Sequence, residues 1–388
     1  MKIKPFKYIV VFFAITLNIY SQYDFNCSGY IFTIPTYQNL GDSPNYFFPA
    51  KQINRNQYSI FTKIRLRPVF ELWDDARLEA ATETRINIAQ LTNPFVTTNS
   101  IYSRQAIDMT WNLYENGDFK VDEYIDRLFF KQTFGDFELT LGRQRINWGV
   151  GRVWQPTDRF HPINPANYVK IEKTGADALS FKYFFGLLTD AEIVVNFKEN
   201  IKNYNYGLRV RTNFSPFTTS LILGYFDNEP NAGFDLSGNI AGAGIRTEGI
   251  YAYNKEHPDS SYMRFIIGID NQFNSKIYAL IEFQYNGEGT TCKYRYDFMK
   301  IITGKMMNTG VYYLAETLNY QIHPLLILSI NLMQNINDGS GYISPFVMWS
   351  ALENLSINAG GMFAYSNIRS EFWYYPKTSV YLTAQFFF

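Results

Sequence analysis

The chain has 388 residues, zero formal net charge at neutral pH, only 18% charged residues, and 34 Phe and 30 Tyr. Zero net charge gives no basic field of the kind nucleic acid requires, so no nucleic-acid partner is expected. Two cysteines, Cys27 and Cys292, make neither a disulfide framework nor a metal cluster, and no cofactor or metal set stands out.

The N-terminal segment reads as an export signal. Lys2, Lys4 and Lys7 precede an apolar run from Tyr8 to Leu17 that is too short to cross a bilayer, and Ser21 is the small residue before a cut. Residues 1–21 are therefore taken as a signal peptide and 22–388 as one domain. Asp24, Phe25 and Asn26 ahead of Cys27 make a poor lipobox. Length alone would suggest two soluble domains. Past the signal, however, no segment approaches the ~20 continuous apolar residues of a membrane helix, and alternation with period two recurs to the last residue.

In chain order, 28–38 is a strand followed by a loop at 39–52. Ile60, Ile64 and Leu66 then oppose Lys63, Arg65 and Arg67, and Leu78, Ala80 and Ile86 oppose Arg77, Glu79, Glu83 and Arg85. Arg127 belongs to a hairpin over 126–147. Tyr206, Leu208 and Val210 oppose Arg209 and Arg211. A strand over 233–240 is required to keep the alternation in phase, despite a weak pattern. Arg246 follows, then Met263, Phe265, Ile267 and Ile269 against Arg264 and Asp270, and then Glu282. The stretch 312–320 breaks the rule, since Glu316 shares parity with Leu314 and Leu318; either a bulge re-aims it or the assignment of faces in this strand does not hold. At the C-terminus Val380, Leu382, Ala384, Phe386 and Phe388 form one apolar face, with Tyr381 on the other.

Charges inside strands and confined to one face mean that face is wet. The fold class is therefore all-β: a closed antiparallel transmembrane β-barrel of about 18 strands, 16 being the nearest alternative. Short turns near 74–75, 135–136, 186–187, 215–216, 241–242, 274–275, 323–324 and 353–354 are assigned to the periplasmic end. Longer connections at 39–52, 89–120, 147–177, 255–261, 288–309 and 367–377, and lesser ones at 199–204, 228–231 and 337–340, are assigned to the cell surface. The expected location is the bacterial outer membrane, with its lipid and lipopolysaccharide as partners. Cys27 and Cys292 then fall at opposite ends, too far apart to bond.

One connection stands apart. It begins Gly142-Arg-Gln-Arg-Ile-Asn-Trp-Gly149 and continues through Arg152, Trp154, Asp158 and Arg159 to Pro165. Arginine and tryptophan carry large rigid contact areas that are seldom left idle in water. The loop over 147–177 is expected to fold into the barrel mouth and narrow it. Arg143, Arg145, Arg152 and Arg159 could select or clamp anions, and Trp148 and Trp154 could stack on sugars. Alternatively, Arg143 and Arg145 pair with carboxylates such as Glu138 and Asp158, and the tryptophans pack.

This run, followed by W-x-P-T-D-x-F-x-P, resembles a family of porin-like outer-membrane barrels of uncharacterised role, related in pattern to the eighteen-stranded alginate-export and capsule-assembly barrels. The resemblance implies the fold, and it covers 124–165 closely and the rest diffusely. The C-terminal pattern of Tyr381, Phe386 and Phe388 resembles the signal read by the barrel-insertion machinery, which would be a further partner.

Three functions fit. The first is a channel passing small hydrophilic solutes, anionic or saccharide ones among them, since Lys and Arg outnumber Asp and Glu on the wet face. Ladder pairing of Arg65 and Arg67 with Glu79 and Glu83 would neutralise part of that excess. The second is a non-conducting surface barrel holding polysaccharide. The third is an outer-membrane hydrolase. Against it, His161, His257 and His323 each precede a proline and so fall in turns or loops, with no nucleophile to pair with them. The chain is read as not an enzyme.

Overall fold

The computed structural model describes residues 24–41, 54–89, 104–161, 172–302 and 306–388. The expected signal peptide lies outside the described residues, as do most of the loop at 39–52 and parts of those at 89–120 and 147–177. The strands are β1 (Asp24–Asn39), β2 (Asn56–Trp73), β3 (Ala76–Ala89), β4 (Thr110–Asn116), β5 (Phe119–Phe134), β6 (Phe137–Gln144), β7 (Ala176–Phe184), β8 (Asp190–Asn196), β9 (Asn205–Phe214) and β10 (Phe217–Phe226). They continue as β11 (Glu229–Ile240), β12 (Ala243–Ala252), β13 (Tyr262–Gln272), β14 (Ile277–Asn286), β15 (Tyr312–His323), β16 (Leu326–Asn335), β17 (Gly341–Leu352), β18 (Leu355–Tyr365) and β19 (Thr378–Phe387).

Eighteen of them close a ring: each pairs antiparallel with the next, β3 skips to β5, and β19 returns to β1. At the seam the Gly29 N–H donates to the Phe388 carbonyl at 2.8 Å, and the Phe388 N–H returns the bond at 3.0 Å. Only glycine fits there, because a Cβ at position 29 would lie 2.5 Å from the Arg65 carbonyl oxygen and 2.8 Å from the Phe388 ring.

The nineteenth strand, β4, corrects the expectation that 89–120 is loop alone. It pairs with the outer half of β5, on the side β6 occupies lower down. Because β6 leaves the wall at Gln144, that half of β5 would otherwise present bare N–H and C=O groups, and β4 covers them. The eight short turns fall as expected, the one at His323 shifted by a residue because β15 includes His323. The connection expected at 228–231 is tighter. β10 and β11 run to a two-residue turn at Asp227 and Asn228, both with positive φ (53° and 69°), the backbone that joins twisted strands best.

Burial is inverted relative to a water-soluble sheet. Leu221, Leu223, Ile267, Ile269, Val380 and Leu382 are exposed on the outside, Leu221 by 67%. Arg65, Glu83, Glu248, Arg264 and Glu282 are buried on the inside. A continuous apolar exterior around a charged interior is what a barrel seated in hydrocarbon requires.

No bulge re-aims Glu316. The β14–β15 register runs unbroken through it, and the β15–β16 irregularity lies further on, at Gln321/His323. Its carboxylate therefore stays on the apolar outer face with Ile281 and Leu332 as ladder neighbours, midway between the outward Tyr312 and Tyr320. Replacing it with Leu is expected to stabilise the barrel by about 1–2 kcal/mol in reversible unfolding from lipid vesicles. An unchanged midpoint would mean the carboxylate is not facing hydrocarbon.

A real bulge lies in β5. Ala81 pairs with Arg127 and Thr82 with Ile125, so Asp126 is the extra residue, and the bulge turns its carboxylate inward. Cys27, in β1, and Cys292, in the connection after β14, are both free and exposed.

Candidate functional site: the inward segment and its wall

β6 kinks at a glycine two residues before it leaves the wall. Gly142 has φ +123°, and a Cβ there would lie 2.3 Å from the Leu128 carbonyl oxygen. The kink directs Arg143 into the gap beside β7. Its Nε and Nη2 reach Asp177 at 2.7 and 3.1 Å, Nη1 donates to the Ile125 carbonyl at 3.0 Å, and Nη2 also bonds the Ile107 carbonyl. Asp177 further accepts the N–H groups of Ala106 and Ile107 at 2.8 and 3.1 Å. One buried pair thus ties β6, β7 and the approach to β4. The expected partners go elsewhere: Glu138 binds Lys131 at 2.6 Å and Asp158 binds Lys173. Glu138 sits five residues from Arg143 on one extended strand, ~17 Å away, and could not reach it.

The segment 145–161 then follows the inside of the wall. Trp148 packs edge-on against Phe160 and Phe226, 5.0 and 6.5 Å between ring centres, and its Nε1 donates to Glu192 of β8 at 2.9 Å. Arg209 stands over the same ring at 5.7 Å and donates to the Asn147 carbonyl at 3.2 Å. Further round, the N–H groups of Val150, Gly151 and Thr157 point at Glu248 of β12. At the tip, three successive N–H groups, those of Arg152, Val153 and Trp154, cradle Glu282 of β14 at 2.8, 3.1 and 2.8 Å. Trp154 completes the crossing: its Nε1 donates to Asn308 at 2.8 Å and its ring faces Tyr313 of β15 at 6.1 Å.

On the way back, Asp158 accepts the His161 N–H at 2.9 Å, and His161 Nε2 accepts the Ile146 N–H at 2.9 Å, clasping the two limbs. A segment inside a barrel has no free ladder edge to join. Here inward glutamates of β12 and β14 take up its backbone donors, as buried N–H groups demand.

Of the seven loop residues singled out by sequence, five are therefore buried in contacts between segment and wall: Arg143, Trp148, Trp154, Asp158 and Arg159. Arg159 shares Asp227 with Arg104 and Lys198, at 3.4, 2.7 and 2.9 Å. Burial opposes ionisation of Asp227, but the Arg104 guanidinium, then Arg159 and Lys198, hold its carboxyl well below the usual range. Arg145 and Arg152 keep exposed side chains, and Arg145 Nη2 donates to the Asn147 side-chain oxygen at 3.2 Å.

The charged wall is largely neutralised. Lys63 meets Glu83 at 3.3 Å; Arg65 meets Glu83, Asp126 at 2.6 Å and Glu172 at 3.2 Å; and Arg67 meets Glu172, not Glu79. Arg127 lies 3.4 Å from Asp126, Arg77 3.8 Å from Glu79, Arg209 2.9 Å from Glu192 and Arg211 2.5 Å from Asp190. Arg246 pairs with Asp270 and Arg264 with Glu288, while Arg85 stands over the Tyr124 ring at 4.7 Å. Asp177, Glu192, Glu248 and Glu371 carry much of this architecture and were not singled out by sequence. Inward parity marks the first three, but nothing in the sequence marks their backbone and indole partners.

Two more connections enter from the same end. Glu371, fully buried, accepts the Thr309 N–H at 3.0 Å, the Tyr313 hydroxyl at 2.5 Å and the Asn335 amide at 2.8 Å. Around it Phe372, Tyr374 and Tyr375 join Ile301, Met307 and Trp154 in one apolar cluster. Burial pushes the Glu371 carboxyl up to about 6, and the Tyr313, Thr309 and Asn335 donors only partly offset it. A carboxyl raised on packing favours the packed state once protonated. The contribution is complete below the ordinary carboxylate range and is lost as pH rises through about 6. Protection factors over 366–377, with the intrinsic pH dependence of amide exchange divided out, are expected to be higher at acid pH than at neutral pH, and Glu371→Gln should remove the difference. A pH dependence that survives the substitution would assign it to another group.

The sequence matches no protein-family model and no curated protein. Among solved structures, OccK9 of Pseudomonas aeruginosa is similar at a TM-score of 0.60 and 10% identity, over 94% of this chain and 98% of that one. OccAB3 of Acinetobacter baumannii gives 0.58 and 8%, over 94% and 99%. OccD3 of P. aeruginosa gives 0.56 and 7%, over 93% and 91%. At such identities the likeness is one of fold. The molecule has a porin-like, eighteen-stranded β-barrel fold consistent with the bacterial outer membrane.

Proposed function

We propose that the chain is an outer-membrane channel through which small hydrophilic solutes diffuse past the inward segment. The observation that carries this reading is the combination of a polar, ion-paired interior with a segment fixed to it by Glu248 and Glu282. A constriction held by several backbone hydrogen bonds to two buried carboxyl groups keeps its shape while solutes pass. With most wall cations paired, selectivity falls to the few that are not, and Arg145 and Arg152 are the candidates on the segment.

The apolar cluster of Trp154, Tyr313 and Phe372 supports a second reading, a filled barrel that presents its outer loops to polysaccharide. Purified protein in planar bilayers separates the two. Steady single-channel steps support the channel, and electrical silence of correctly inserted protein supports the binder. A hydrolase reading gains nothing from the histidines, since His161 Nε2 is occupied by the Ile146 N–H.

A further inference from the structure

Below the tip of the segment, toward the short-turn end, lies a recess of about 420 Å³. Arg152 forms its roof and Lys276 its rim, and Gln272, Tyr278, Asn319 and Gln321 line its sides. Ile327 and Met348 give it an apolar patch.

Arg152 differs from the wall arginines described above. Among the described residues its guanidinium has no hydrogen-bond or ion-pair partner, although its own N–H is fixed to Glu282 at 2.8 Å. The nearby carboxylates are already engaged. Glu282 receives the three N–H groups of the tip, and Asp270 is paired with Arg246. The backbone is therefore anchored while the cationic head is left free over a polar cavity. That arrangement is pre-organised for an anion, because little ordering remains to be done on binding.

We propose that this recess is a binding site for a small polyhydroxylated solute ending in an oxyanion, held by Arg152 and Lys276. A planar guanidinium bonds a carboxylate or phosphate through two parallel N–H groups, and a lysine ammonium adds a mobile point charge. The amides of Gln272, Asn319 and Gln321 and the Tyr278 hydroxyl can each donate to and accept from solute hydroxyls. The patch of Ile327 and Met348 suits the C–H face of such a body, and the volume lies in the range of small-ligand sites. This inference rests on the channel reading and adds where, and through which groups, the solute pauses.

The test uses the full-length protein in planar bilayers, with gluconate, glucose 6-phosphate and neutral glucose as probes. Gluconate, glucose 6-phosphate or both are expected to interrupt the current, and glucose is not. Block by one anion alone assigns the carboxylate or the phosphate as the preferred end. Arg152→Gln is expected to raise the half-blocking concentration about tenfold or more, the usual effect of losing a charge-assisted pair, and Lys276→Gln to raise it less. Block by glucose as strong as by the anions, or anion block unchanged in Arg152→Gln, would overturn the proposal. Should the protein prove electrically silent, the channel reading fails, and equilibrium dialysis of both anions against detergent-solubilised protein decides this one separately. Retention lost in Arg152→Gln upholds the site, and retention that is absent or equal in both proteins overturns it.

Discussion

Asp177→Ala is expected to lower the unfolding free energy of the barrel by about 3–5 kcal/mol, the usual cost of leaving one member of a buried ion pair without its partner. The Arg143 side chain is fully buried and bonds Asp177 at 2.7 Å. Losing the carboxylate would also release the N–H groups of Ala106 and Ile107. The readout is denaturant unfolding in vesicles, followed by gel mobility of heated and unheated samples. The double variant Arg143→Met/Asp177→Leu separates two causes. If the orphaned charge dominates, replacing both partners recovers most of the loss. If the double variant is no better than the single, the bonds from this pair to the backbone carry the stability instead.

Glu282→Ala is expected to release the tip of the inward segment. Hydrogen bonds to a charged group contribute about 1.5–3 kcal/mol each, and three backbone donors would lose their acceptor together. The Glu248 contacts and the Trp148 pocket remain, so the segment should stay attached near β8 to β12 while 152–154 moves. Single-channel recordings should show larger and noisier conductance steps than the wild type. A quieter or smaller current would mean that the tip does not narrow the path.

How much of this was legible in sequence follows from which interactions alternation records. Period two assigns each strand residue to one of two faces, so the ring, its eighteen strands and most turns could be read from residues such as Leu208 against Arg209. Alternation does not separate the two local departures. Glu316 suggested a bulge and has none, whereas Asp126, in a run with unremarkable polarity, sits on a real one. A charged residue on the wrong parity does not distinguish a re-aimed side chain from an exposed one, since both leave the same pattern.

The inward segment was visible as Arg143 to Arg159, because arginine and tryptophan at that density suit no free loop. Its anchoring was not visible. Glu248 and Glu282 bind peptide N–H groups, which every residue but proline carries, so the partner leaves no trace in the amino-acid types. β4 escaped for a related reason: its seven residues cover an edge while both its faces stay largely exposed, and burial gives them no alternation to show.

The inward segment has a mechanical consequence as well. Starting from β6 and touching β8, β12, β14 and β15 in turn, it acts as an internal hoop along an arc of ten of the eighteen staves of the cylinder. Lateral squeeze on any one of those strands is shared with the others through the hoop, so that arc should resist flattening and keep a fixed curvature. Any breathing of the cross-section would then concentrate in the opposite arc.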